Sequence, residues 1–209
     1  MDYTDLGPNQ EVNENGLIYE VDSLYAYLGQ IKDTRKAQGK QYPLVALLVL
    51  MLLAKLAGED KPSGIAEWVA HRVEQWVEMK ILTKPQAPSH MTYRRVLANI
   101  VSADEFERLV GEFHRNRLVK DEQIVYRMDG KALKGTIPRG EMRGTHLLSL
   151  YVAEQGLVVG ETAVERKENE ISAAPELLEQ VDLKEAIVIA DALHTHRQPS
   201  RQIVEAGGD

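Results

Sequence analysis

The sequence predicts an α+β protein in which an all-helical first half precedes a second half of mixed strands and helices. Up to about residue 120, apolar side chains recur at the three- and four-residue spacing of helices. From Gln123 onward the apolar segments shorten, β-branched residues become more frequent, and alternation replaces the helical period. The chain has 209 residues, 44% of them hydrophobic and 27% charged, which indicates a folded globular protein with a substantial core.

The first half is predicted to be helical throughout. The segment 43–57 is the most apolar; it starts at a proline, ends before Gly58, and is shorter than the roughly 20 residues that a membrane-spanning helix needs. In the segment 63–79, Trp68 and Trp76 fall on one apolar face and are assigned to the core. The remaining helices are a weakly periodic one over 21–31 and two short ones after Ser89 and Ser102, which together resemble a helix-turn-helix.

The second half is predicted to follow the order β-β-β-α-β-α. The strands span 124–128, 146–153, 157–165 and 186–190, with a hairpin turn at 154–156, and the helices span 170–181 and 195–206. The last strand is a continuous apolar run, which is typical of a strand buried on both faces. We expect this strand to lie parallel beside the first strand of the sheet.

The composition excludes several kinds of site and partner. There are no cysteines, so disulfides, zinc–thiolate sites, iron–sulfur clusters and cysteine nucleophiles are excluded, and any metal must be held by oxygen or imidazole. The net charge is −7, so binding to nucleic acid would need a local basic patch. Residues 1–20 form an acidic tail without the features of a secretion signal, and we expect a cytoplasmic protein without a membrane partner.

Two aspartates stand at the ends of apolar strands. Asp129 follows the first predicted strand and Asp191 follows the fourth. If these strands are parallel neighbours, both carboxylates meet at one place, where a hard divalent cation such as Mg²⁺ or Mn²⁺ would offset their repulsion. The alternative is that Asp129 belongs to a turn with Gly130 and that Asp191 caps the following helix. The spacing alone leaves both interpretations open.

A set of short motifs along the chain resembles a known family. The motifs are Arg35 with Tyr42-Pro43-Leu44, Ile65-Ala66-Glu67-Trp68, Pro88-Ser89-His90 with Thr92 and Arg95, Asp129-Gly130-Lys131, Lys167 with Asn169-Glu170-Ile171, Asp191-Ala192-Leu193-His194-Thr195, and Gly207-Gly208-Asp209. In order and spacing they resemble the H-repeat-associated insertion-sequence transposases, which are DDE enzymes with a ribonuclease-H-like catalytic domain. The resemblance extends from Leu24 to Asp209.

The resemblance implies a function and a division into domains. Residues 21–120 would form a helical DNA-binding domain, and residues 121–209 an α/β ribonuclease-H-like domain that stops before the family's third carboxylate. Asp129 and Asp191 would hold Mg²⁺ or Mn²⁺ for DNA strand cleavage and transfer. The expected partners are transposon ends and further copies of the chain, in the bacterial cytosol at the nucleoid, with no small-molecule cofactor.

The missing third carboxylate leaves the activity open. The expectation is a truncated transposase with reduced or no activity; the alternative is a non-catalytic remnant that binds DNA or oligomerises. Glu170, in the first turn of a predicted helix, is a candidate substitute. Its other interpretation is that Asn169 caps this helix and Glu170 complements the positive N-terminus.

Basic residues form two candidate DNA-binding groups. One surrounds the first aspartate and contains Arg127, Lys131 and Lys134, with Arg139 and Arg143 further on; the alternative is a solvated hairpin. The other lies on the helix-turn-helix-like element and contains Lys84, His90, Arg94 and Arg95. Its alternative is a surface helix whose arginines pair with Asp104, Glu105 or Glu107.

A weaker alternative is a zinc hydrolase site. His194 and His196 follow Asp191 closely and supply the ligand types that zinc uses. Such sites normally need a further protein ligand, and the sequence offers no other histidine-rich motif for it.

Overall fold

The computed structural model describes residues 6–119, 123–132, 146–164, 170–191 and 196–209. The chain divides into two compact units, Met1–Phe106 and Glu107–Asp209. In the described ranges it contains eight α-helices and two sheets, so the predicted α+β class is confirmed at this level. This division lies inside a helix and before residue 120, the position at which the sequence predicts the boundary between the two domains.

The first unit is mostly helical. Its elements are β1 (Gln10–Val12), β2 (Ile18–Glu20), α1 (Leu24–Gly29), a short 3₁₀ helix (Ala37–Gly39), α2 (Leu44–Leu56), α3 (Pro62–Ala70), α4 (Val73–Glu78) and α5 (His90–Asn99). β1 and β2 form an antiparallel hairpin within the segment 1–20 that the sequence predicts as an acidic tail. The Asn13 carboxamide oxygen accepts hydrogen bonds from the backbone N–H groups of Asn15 and Leu17 and so closes this hairpin.

The apolar helix α2 forms the core of the first unit. Leu47, Leu50 and Ala54 are fully buried, as the sequence predicts. Among the described residues, one segment, Ala37–Leu56, is apolar and long enough to resemble a membrane span, with a mean hydropathy of 1.4. The continuous α-helix within it has 13 residues, which corresponds to about 20 Å against a hydrocarbon core of about 30 Å. We therefore assign α2 to the core.

The single helix predicted over 63–79 is wrong, because the structure breaks it between Ala70 and Val73. The indole N–H of Trp76 donates to the Val69 carbonyl at 3.2 Å, and the Arg72 guanidinium donates to the Trp68 carbonyl at 3.0 Å. The Val69 carbonyl also accepts the Arg72 backbone N–H at 3.1 Å, an i+3 bond in place of the i+4 bond that a continuing helix would form. The two tryptophans still pack together, with ring centroids 5.3 Å apart, which agrees with their assignment to the core.

The second unit contains a four-stranded sheet in the order β5-β4-β3-β6. Its elements are β3 (Val125–Ala132), β4 (His146–Val152), β5 (Leu157–Val164), α7 (Glu170–Leu178), β6 (Ile187–Ala190) and α8 (Arg197–Glu205), and α6 (Ala103–Arg115) crosses from the first unit into this one. β3, β4 and β5 pair antiparallel, and β6 lies parallel beside β3. The predicted order of strands and helices along the chain is confirmed, and so is the parallel pairing of β6 with β3.

One face of the sheet carries the core of the second unit. Tyr126 and Met128 of β3 and Leu148, Leu150 and Val152 of β4 are buried on this face. They pack in one cluster with Ala174, Leu177 and Leu178 of α7. α7 approaches closely at Gly160, where an added Cβ would lie 2.8 Å from Leu177 Cδ1. A side chain at this position would push α7 away from the sheet.

β6 is the strand at one edge of the sheet. The prediction that it is buried on both faces is wrong, because one face is partly exposed. Its Ile189 side chain is 48% exposed. The outer edge is paired only at its start, where the Asp209 N–H donates to the Ala186 carbonyl at 2.9 Å and the Val188 N–H donates to the Asp209 carbonyl at 2.8 Å. This is the hydrogen-bond pattern of a parallel ladder.

Tyr93→Phe is expected to stabilise the first unit by about 1 kcal/mol. The Tyr93 ring is fully buried, its hydroxyl has no hydrogen-bond partner among the described residues, and burial raises its pKa. An unpaired buried hydroxyl costs free energy that phenylalanine avoids while keeping the ring. Urea unfolding followed by tryptophan fluorescence reports on this unit, since both tryptophans belong to it. A decrease in the free energy of unfolding by a similar amount would show that the hydroxyl has a stabilising partner.

Candidate functional site

The strand register brings Asp129 and Asp191 together. Asp129 lies within β3, which runs further than predicted, and Asp191 follows β6 directly. The parallel register pairs Met128 with Ala190, so the next residues along the two strands are Asp129 and Asp191. Neighbouring strands lie about 4.8 Å apart, and both aspartates are exposed. The register therefore puts the two aspartates at neighbouring positions, where the parallel strands β3 and β6 stop pairing.

Two further polar residues extend this row, and the sequence did not indicate them. Because side chains alternate along a strand, Asp129 lies on the face opposite the buried Met128. The register places Ser149 of β4 next to Asp129, and Glu161 of β5 next to Ser149. The Ser149 hydroxyl donates to Glu161 Oε2 at 3.0 Å. The face of the sheet opposite the core thus carries the row Asp129, Ser149 and Glu161, and Asp191 follows the neighbouring strand β6.

The aspartate pair suits a hard divalent cation. Two neighbouring carboxylates repel each other unless a cation lies between them, and exposed carboxylate oxygens are the ligands that Mg²⁺ and Mn²⁺ prefer. Among the described residues, no three His, Asp or Glu side chains come close enough to form a fuller ligand set. The pair therefore provides two protein ligands.

The zinc alternative gains no support from the described part of the chain. His194 lies outside the described residues. His196 is exposed and occupies the N-cap position of α8.

The basic residues near Asp129 have different surroundings. Arg127 pairs with Glu154 in the hairpin turn, at 3.2 Å. A hydrogen bond from its own backbone, and to a lesser extent Arg127, holds the pKa of Glu154 below its ordinary value. Lys131 is exposed and lies two residues beyond Asp129 on the same strand. Lys134, Arg139 and Arg143 lie outside the described residues, so Lys131 is the candidate phosphate contact on β3.

Glu170 begins α7, but its side chain lies outside the described residues. α7 packs on the core face of the sheet, through Leu177 and its neighbours, whereas Asp129 lies on the opposite face. This placement favours the interpretation that Glu170 complements the helix N-terminus.

The four basic residues proposed for the helical unit, Lys84, His90, Arg94 and Arg95, are exposed. Neither Arg94 nor Arg95 forms an ion pair with another described residue, so the alternative in which they pair with nearby acidic residues is not found there.

Of the two helices of the predicted helix-turn-helix, α5 lies in the first unit and most of α6 lies in the second. α5 packs against α3 and buries Tyr93 and Val96. In α6, His114 bonds the Val158 carbonyl at 2.6 Å and Arg115 donates to the Val159 carbonyl, both in β5. The helix-turn-helix interpretation stays a prediction.

Acidification is expected to weaken the first unit through Asp33. The Arg35 guanidinium donates to both Asp33 carboxylate oxygens at 2.9 Å and holds the pKa of Asp33 below its ordinary value. A lowered carboxyl pKa stabilises the fold above the unfolded pKa, about 3.9, and this contribution is lost as the pH falls through the folded pKa. Urea unfolding at pH 6 and pH 3 should therefore show a smaller loss of stability for Arg35→Ala than for the parent. Equal losses would show that this pair does not contribute.

The sequence matches known proteins over most of its length. Residues 25–114 match the DDE_Tnp_1-associated family. Over 191 residues the chain is 30% identical to "Putative transposase YncI" of Escherichia coli K12, covering 90% of this chain and 76% of the relative. It is 26% identical over 194 residues to "H repeat-associated putative transposase YbfD" of the same strain, covering 91% of this chain and 75% of the relative.

Another relative is considerably longer than the region it shares with this chain. The chain is 30% identical to YncI of Escherichia coli O157:H7 over 90% of its own length, but it spans only 48% of that protein. No solved structure matches the chain.

Proposed function

Because the chain belongs to the transposase family that includes YncI and the H repeat-associated protein YbfD, we propose that it acts in DNA transposition. In this proposal the first unit contacts DNA, and the second unit is a ribonuclease-H-like domain whose Asp129 and Asp191 form the metal centre for strand cleavage and transfer. The observation that supports the proposal is the parallel register of β3 and β6, in which Met128 and Ala190, the residues just before the two aspartates, are paired.

Asp129 and Asp191 would hold Mg²⁺ or Mn²⁺. When bound, such ions stabilise the charge that develops on the scissile phosphate as water or a 3′-hydroxyl attacks it and the leaving oxygen departs. Asp129 stands on β3 and Asp191 directly follows the neighbouring strand β6, so the sheet would limit their separation. Lys131 lies near enough along β3 to neutralise a neighbouring phosphate. The carboxylates act as ligands, so the chemistry needs no covalent protein intermediate.

The first unit supplies the DNA contacts in this proposal. Lys84, His90, Arg94 and Arg95 are exposed, and on a chain of net charge −7 such a local group is what nucleic acid would contact. Lys131 and, from their closeness to Asp129 in the sequence, Lys134 and Arg127 would add contacts near the cleavage site. We also propose that copies of the chain associate to hold two transposon ends, in the bacterial cytosol.

The second candidate function is DNA binding or oligomerisation without cleavage. It is favoured by the incomplete ligand set, since among the described residues the metal centre has two carboxylates and no third. A centre with these two ligands alone would hold its metal more weakly and cleave slowly or not at all.

The proposed function is tested by Mn²⁺-dependent nicking of supercoiled plasmid DNA. The parent should convert supercoiled to open-circular DNA when Mn²⁺ is present and not in EDTA. Asp129→Asn and Asp191→Asn, purified identically, should not nick and so exclude contaminating nucleases. Glu170→Gln should nick like the parent if Glu170 only complements the positive N-terminus of α7. Sequence-specific DNA binding without nicking by the folded parent would favour the second function.

A further inference from the structure

A pocket of about 400 Å³ lies in the first unit, between the segment 35–42 and helix α5. Three of its lining residues are cationic, namely Arg35, Lys36 and Arg95, and none is acidic. This is unusual for a chain with 32 acidic and 25 basic residues. Arg35 is paired with Asp33, so Lys36 and Arg95 are the lining cations that form no ion pair with a described residue.

Arg35 builds the wall of this pocket. Its guanidinium bonds both oxygens of Asp33, and it donates to the backbone carbonyls of Gly39 at 3.1 Å and Tyr42 at 2.8 Å. The side chain is only 9% exposed. Because Arg35 joins both ends of the segment that carries Lys36, its role is to hold this segment in shape rather than to bind a ligand.

Lys36 and Arg95 are the cations available to a ligand. Both are exposed, and neither forms an ion pair with another described residue. They face the pocket from opposite walls, Lys36 from the segment and Arg95 from α5. The carboxamides of Gln38 and Asn99 also line the pocket and offer uncharged N–H donors.

We propose that this pocket binds a phosphodiester of the DNA backbone, with Lys36 and Arg95 contacting its oxygens. An anion fits because all charged side chains of the lining are positive, while the other lining residues are neutral and include the apolar Val96 and Ile100. A polymer fits better than a small anion, because α5 carries two further exposed basic residues, Arg94 and His90, on a neighbouring face of the helix. This inference rests on the proposed DNA-binding role, but it assigns the 35–42 segment a contact that the sequence did not indicate.

The test is fluorescence anisotropy of a labelled DNA duplex titrated with the full chain at several salt concentrations. The double variant Lys36→Gln/Arg95→Gln should bind at least about tenfold more weakly. The negative slope of its log affinity against log salt should become less steep by about two, one for each lost phosphate contact. Lys36→Arg/Arg95→Lys keeps both charges and should restore the slope. Lys61→Gln/Arg197→Gln removes the same charges from exposed positions outside the pocket and should leave the slope within about one of the parent.

The outcomes distinguish a failure of the pocket assignment from a failure of the proposed function. If the parent nicks or binds DNA and the Lys36/Arg95 variant binds as tightly as the Lys61/Arg197 control, the pocket is not a DNA site and only this inference fails. If the folded parent neither binds nor nicks DNA, the proposed function fails together with it. If inorganic phosphate binds in a Lys36- and Arg95-dependent manner while DNA does not, the pocket takes a free phosphate and the DNA assignment is overturned.

Discussion

Asp129→Asn is expected to lower Mn²⁺-dependent nicking by at least about 100-fold, because it removes one of the two carboxylates of the proposed metal centre. Loss of a residue that merely supports a metal ligand costs about 10- to 100-fold, so loss of the ligand itself should cost more. Asp191→Asn should have the same effect, since the proposal gives both carboxylates the same role. The rate of conversion of supercoiled to nicked plasmid measures both.

The same substitution should leave the fold intact, which separates a functional loss from unfolding. Removing one of two adjacent negative charges relieves repulsion, so without metal the free energy of unfolding should stay equal or rise slightly. The control is Glu179→Gln, an exposed carboxylate just after α7, which should nick like the parent. Nicking by Asp129→Asn at the parental rate would exclude this carboxylate from the active centre.

Leu150→Ala is expected to destabilise the second unit by about 3 kcal/mol, in the usual range for a large buried aliphatic side chain. Leu150 is fully buried in β4, in the cluster that joins β3 to α7. The strand that carries Asp129 depends on this cluster, so nicking should also become more sensitive to temperature. Urea unfolding followed by far-ultraviolet circular dichroism and by amide exchange in β4 measures the loss.

Ile189→Ala is the matched control for this substitution. Ile189 is 48% exposed at the edge strand, so its truncation should cost less than about 1 kcal/mol. Equal effects of the two substitutions would contradict the assignment of the core to the α7 face of the sheet.

The helices and strands with strong local signals were predictable. α2 follows from its apolar run between Pro43 and Gly58, and the β4–β5 turn follows from residues 154–156, where Gly156 adopts a φ of 66°. The break between α3 and α4 was not, because it depends on Trp76 reaching back to the Val69 carbonyl. A helical period of apolar residues continues through such a break, so periodicity alone indicates one helix.

The aspartate pair was predictable, whereas the rest of its row was not. Asp129 and Asp191 follow from two apolar strands and their parallel pairing. Glu161 reaches the row only because the register of β4 and β5 shifts between Leu150 and Tyr151. Without this shift, pairing from Val152 and Leu157 would place Gly160 opposite Ser149. A bulge of this kind leaves no distinct signal in the sequence.

The pocket proposed to bind DNA was also not predictable from the sequence. The sequence groups Arg94 and Arg95 because they are adjacent, but α5 turns Arg95 toward the 35–42 segment and into the pocket. Consecutive helix residues point about 100° apart. The contact between α5 and a segment more than 50 residues earlier is set by tertiary packing, so only the structure reveals it.

The most direct test of the proposed metal centre is a Mn²⁺ binding measurement. Electron paramagnetic resonance detects binding as a loss of the signal of free Mn²⁺. We predict that the parent chain binds Mn²⁺ and that Asp129→Asn/Asp191→Asn loses this binding while it keeps the parental circular dichroism spectrum. Equal Mn²⁺ binding by the folded parent and the folded double variant, or no binding by the parent, would contradict a metal centre at the ends of β3 and β6.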